Sequence, residues 1–122
     1  MVRVLTVDDQ PAFRAAARAV IEHTPGFEVV GESADGASAI RLARELDPDM
    51  VILDMRMAGL HGIDTARCLH EEDPTRVLVL ASSADLRGLA ALSESSGIAA
   101  LVRKHWLNPR LLRGLWVVHR RR

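Results

Sequence analysis

Five short apolar runs punctuate the chain: "VRVLTV" (2–7), "FEVVGES" (27–33), "MVIL" (50–53), "VLVLA" (77–81) and "IAALV" (98–102). The first, third and fourth show little alternation, the pattern of strands covered on both faces. Segments with apolar residues at three- and four-residue spacing lie between and after them, predicting helices over 11–23, 36–47, 62–73, 85–96 and 109–121. Phe13, Ala16, Ala17, Val20 and Ile21 form such a stripe. Pro11 and Pro109 sit where a first helical turn tolerates proline, and Asn108 is placed to cap the last helix. Pro25-Gly26, Asp47-Pro48 and Asp73-Pro74 break the chain where a strand must follow.

Strict strand–helix alternation with short links implies parallel strands, right-handed crossovers and helices on both faces of one sheet. This is an α/β, doubly wound architecture, and with five strands and five helices the flavodoxin-like order 2-1-3-4-5 is expected. A length of 122 residues suits one domain, 1–122.

Composition narrows the function classes. Acidic and basic residues balance at 16 each, so no global field recommends nucleic acid or an anionic membrane as partner. No apolar run approaches the roughly 18 residues of a membrane span. The lone Cys68 cannot form an internal disulfide and is expected to be a small helix filler. Without a charged-then-apolar leader after Met1, the expected location is the cytoplasm.

In such a fold, ligands bind beyond the carboxyl ends of the strands where strand order reverses. The first strand ends in Asp8 and Asp9, the third in Asp54, the fourth in Ser82 and Ser83, the fifth in Arg103 and Lys104. Each has an ordinary reading: Asp9 could cap the first helix, Asp54 or a serine could close a turn, Lys104 could be a solvated strand end. Their convergence on one face favours a site. Three carboxylates in one crevice repel one another, raising a pKa or demanding a cation. All-oxygen ligands suit a hard divalent ion such as magnesium. A phosphate-only or flavin site would instead call for glycines and bare amides, where "VDDQPAF" offers acids and a proline.

These residues, "VDDQ" after the first strand, "LDMRMAGLHG" around the third, serine after the fourth and lysine after the fifth, resemble the receiver domains of two-component response regulators. The resemblance spans nearly the whole chain and implies a CheY-like fold. It implies Asp54 as phosphoacceptor from a phosphohistidine on a sensor histidine kinase or phosphotransfer protein. It implies Mg2+ held by Asp8, Asp9, Asp54 and the Arg56 backbone carbonyl. Lys104 would neutralise phosphoryl charge, and Ser82, favoured over Ser83 by spacing, would donate a hydrogen bond to the phosphoryl group. Gly62 would let the loop close, through a backbone conformation costly to other residues. The resemblance further implies a switched surface on the fourth helix, fifth strand and fifth helix, with homodimerisation through it. The domain would catalyse only its own phosphorylation and dephosphorylation, without touching nucleic acid or membrane itself.

Departures are also legible. Leu101 stands where the family usually has an aromatic residue, Ala58 and His61 alter the common "MPGMDG" loop, and His105 follows the lysine, as in the subfamily usually joined to helix-turn-helix output domains. His61 is not expected to ligate metal. Arg56 and Ala84 flank the route of the hydrolytic water in this family, whereas Met55 and Met57 are expected to pack. Trp106 and Trp116 are candidates for an interface or for packing, and the terminal arginines are too few to imply DNA binding. With no output domain following, a single-domain regulator is expected. Two other readings stay open: a phosphorylation-independent interaction module, suggested by Leu101 and the altered loop, and a magnesium-dependent aspartate-nucleophile phosphatase. The latter would normally place an acid where Arg56 stands.

Overall fold

Alternation of side chains along each strand sorts the apolar residues onto the two sides of a sheet. The computed structural model describes residues 1–56, 62–83 and 97–120. The elements are β1 (Val2–Val7), α1 (Pro11–Glu22), β2 (Phe27–Ser33), α2 (Gly36–Leu46), β3 (Met50–Asp54), α3 (Gly62–Glu72), β4 (Val77–Ser82) and β5 (Ala100–Arg103). A 3-10 turn (Lys104–Trp106) and α4 (Pro109–His119) follow. All strand pairs are parallel, in the order β2-β1-β3-β4-β5 expected from the sequence. The helix expected over 85–96 lies outside the described residues, as do Met57, Ala58, His61 and Ala84. The helix expected over 109–121 is therefore α4 here.

Val4, Met50, Ile52, Val77, Val79 and Val102 pack with Ile21 of α1 and with Leu112 and Leu115 of α4. Their alternates Leu5, Val7, Val51, Leu53, Leu78 and Leu80 pack with Ala39 and Ala43 of α2 and Ala66 and Leu69 of α3. Most are fully buried, each stabilising the fold by about 1.5–3 kcal/mol before entropy is set against it. Small alanines on α2 and α3 bring those helices close to the sheet, and the strand ends inherit a rigid mounting.

The strands β3 and β4 each extend one residue past their apolar run, because the ladder continues through Asp54↔Ala81 and Ser82↔Arg103. β5 starts at Ala100, two residues later than its apolar run. Gly97 adopts a φ of +80° just before it. Asn108 caps α4 as expected, its Oδ1 accepting the Leu111 N–H at 2.9 Å. Trp106 is 58% exposed, whereas Trp116 packs against the α1–α4 side of the core. Among the described residues, no helix is long and apolar enough to cross a membrane.

Candidate functional site

Register places the carboxylates before any side chain is considered. Thr6 pairs with Ile52 and Val7 with Leu53, so the next residues of the two strands, Asp8 and Asp54, leave the sheet side by side and on the same face. Asp8 is fully buried and Asp54 is 6% exposed. Asp9 is exposed at the mouth. One oxygen from each of the three lies within 4.8 Å of the others.

Lys104, the first residue beyond β5, reaches across to this cluster. Its Nζ lies 2.7 Å from Asp8 Oδ2 and 3.3 Å from Asp54 Oδ1. The ammonium donates a hydrogen bond to Gln10 Oε1 at 3.2 Å, and the Phe13 ring lies under it with its centroid at 4.7 Å. Ser82 is buried at the end of β4, while its neighbour Ser83 is exposed. Asp9, Gln10, Asp54, Arg56, Ser82, Ser83 and Lys104 line one cleft of about 230 Å³.

Electrostatics in this cleft are frustrated. Burial pushes the Asp54 carboxyl above its ordinary range and the Asp8 charge pushes it further. Lys104, through its charge and a hydrogen bond, and the Arg56 backbone N–H pull it back without cancelling the rise. Asp8 Oδ1 accepts the Gln10 N–H at 2.9 Å, but Asp8 Oδ2 is buried and receives no well-directed hydrogen bond. The 2.7 Å approach of Lys104 to that oxygen is thus a charge contact with poor angular alignment. A buried carboxylate oxygen with this unused capacity, in an all-oxygen donor set, fits a hard divalent cation.

Two sequence expectations need correction. Asp9 does not cap α1: the capping position belongs to Gln10, which makes no side-chain cap bond, so the ordinary reading of Asp9 falls away. Gly62 does not adopt a positive φ, and the need for glycine there is spatial. A Cβ at residue 62 would lie 2.2 Å from the Asp54 carbonyl oxygen and 3.0 Å from Met55 Cα. The first turn of α3 therefore rests directly on the backbone that carries Asp54, held by Gly62 N–H donating to the Met55 carbonyl at 3.0 Å.

Gln10 belongs to the "VDDQ" motif, and its spacing there implies no role, yet it lines the cleft and holds Lys104. A glutamine is poorly suited to capping a helix, and that is the one sequence signal that its side chain serves something else. Arg14 also reaches the site's backbone, its Nη1 donating to the Asp8 carbonyl at 2.5 Å.

The doubly wound sheet thus presents a buried acid pair at its switch point, with a lysine reaching in from the end of β5. Residues 4–115 match the response regulator receiver domain, and the chain belongs to that family. It is similar to the nitrate/nitrite response regulator protein NarP of Escherichia coli, 42% identical over 68% of this chain and 39% of that protein. It is also similar to the transcriptional regulatory protein LiaR of Bacillus subtilis, 35% identical over 84% of this chain and 49% of that one. The chain thus spans less than half the length of these two relatives. Among solved structures, a LuxR-family two-component response regulator from Aurantimonas superposes with a TM-score of 0.85 at 31% identity, covering 95% of this chain and 83% of that one. The signal receiver domain of the NarL response regulator from Mycobacterium tuberculosis gives 0.87 at 27% identity, covering 97% and 95%.

Proposed function

We propose that Asp54 accepts a phosphoryl group from a phosphohistidine of a sensor histidine kinase or phosphotransfer protein, and that the aspartyl phosphate switches a protein-interaction surface. The observation that carries this reading is the buried Asp54 carboxylate with the Lys104 ammonium 3.3 Å away and two further carboxylates beside it. An Asp54 oxygen attacks phosphorus as the P–N bond to the imidazole breaks, and the leaving nitrogen keeps the electron pair and takes a proton. Asp8, Asp9, Asp54 and the Arg56 carbonyl would hold Mg2+, which when bound supplies positive charge to the phosphoryl oxygens. Lys104 supplies charge from the end of β5, and positioned charge is most of the catalysis in phosphoryl transfer. Burial of Ser82 in the cleft supports its hydroxyl, rather than that of Ser83, as the phosphoryl partner. On this reading the domain acts only on itself, in the cytoplasm, and does not contact nucleic acid. A second copy of the chain is a candidate partner for the face that includes β5 and α4.

The phosphorylation-independent reading has one observation in its favour. Leu101 of β5, opposite Leu80 of β4, is half-buried against the α2–α3 side of the core and has no aromatic ring to carry a rotamer switch outward. Acetyl phosphate with magnesium decides between the two: uptake of one phosphate, lost in Asp54→Asn, supports phosphoacceptance, and its absence at saturating donor overturns it.

A further inference from the structure

We infer that Gln10 is a positioning residue for phosphoryl transfer, acting through Lys104; this rests on the phosphoacceptor reading above. The Lys104 ammonium has three oxygens around it: Asp8 Oδ2 at 2.7 Å and Asp54 Oδ1 at 3.3 Å as charge contacts, and Gln10 Oε1 at 3.2 Å as a hydrogen-bond acceptor. The Phe13 ring closes the remaining side. The two carboxylates lie on neighbouring strand ends. The amide of Gln10 adds a third, neutral oxygen that holds the ammonium at the cleft from the start of α1.

Gln10 is well placed for the task. Its backbone N–H is fixed by Asp8 Oδ1 at 2.9 Å, which ties the amide's position to the same acid that Lys104 touches most closely. Proline follows it, holding the chain direction at the start of α1. As a neutral acceptor it steers a cation without adding a fourth negative charge to a crowded pocket, which an acid here would do. Its hydrogen bond links residues 94 apart in sequence, joining the start of α1 to the end of β5.

The test uses Gln10→Met, which keeps the length of the side chain and removes the acceptor, with Gln10→Leu as a second variant. Both are compared by the initial rate of phosphorylation with acetyl phosphate and magnesium, in the wild-type and Lys104→Ala backgrounds. Gln10→Met should slow the reaction by about tenfold, the scale of one hydrogen bond to a charged group. The loss should disappear when Lys104 is already alanine, which a merely structural role would not produce. An unchanged or faster rate in both variants overturns the inference, as does an equal loss in the Lys104→Ala background. If the wild-type chain takes up no phosphate, the phosphoacceptor reading falls and this inference with it. A phosphorylated wild type with an equally fast Gln10→Met removes this inference alone.

Discussion

Lys104 Nζ and Asp8 Oδ2 lie 2.7 Å apart, joining the end of β5 to the end of β1 across the two strands between them. Asp8 is fully buried and the lysine side chain nearly so, hence the pair is screened little by solvent. Removing one partner leaves the other's charge buried. Lys104→Ala should therefore lower stability by about 2–4 kcal/mol in magnesium-free buffer at neutral pH. Urea unfolding with and without magnesium checks this, and the loss should shrink when the ion is present.

Asp54 titrates in the opposite sense to a paired carboxylate. Its folded-state pKa is raised, chiefly by burial and then by Asp8, so the folded protein binds its proton more tightly than the unfolded chain does. Its contribution is fully present below the ordinary carboxylate range and is lost as pH rises through the raised value. In magnesium-free buffer at pH 7, Asp54→Asn should consequently melt higher than wild type, with the gap closing below pH 4, roughly the unperturbed range. Thermal melts across pH measure it.

Magnesium should raise the melting temperature of the wild-type chain by mass action, by about 2.7 kcal/mol of stability at one hundred times Kd. The rise should be much smaller in Asp54→Asn or Asp9→Asn. Asp9 is the informative case: it is exposed and makes no helix cap, so its loss should weaken ion binding while leaving metal-free stability within about 0.5 kcal/mol.

Gly62→Ala should destabilise by about 1–3 kcal/mol, the scale of overpacking, because the added methyl meets the Asp54 carbonyl oxygen at 2.2 Å. The collision is with backbone, so relief requires moving Asp54 itself. Phosphorylation should slow along with the loss of stability.

Much of this was legible in the sequence through one physical device. Strand–helix alternation implied a doubly wound parallel sheet whose order reverses between the first and third strands, so Asp8 and Asp54 could be placed together from the ends of "VRVLTV" and "MVIL". What a run of letters does not carry is reach. The three-way grip on Lys104 depends on side-chain lengths converging from two strand ends and a helix start, and Gln10 passed as a filler of its motif. Gly62 was singled out for the wrong reason, since a close approach between α3 and the β3 backbone leaves the same mark in sequence as a positive φ. The two tryptophans divided by register on the last elements: Trp116 falls on the core side of α4, and Trp106 leaves the 3-10 turn toward solvent.

Intact mass after incubation with acetyl phosphate, with and without magnesium, tests the central claim most directly. The account predicts one added phosphate on the wild-type chain, dependent on magnesium and absent from Asp54→Asn. No added mass at saturating donor, or the same added mass on Asp54→Asn, would contradict it.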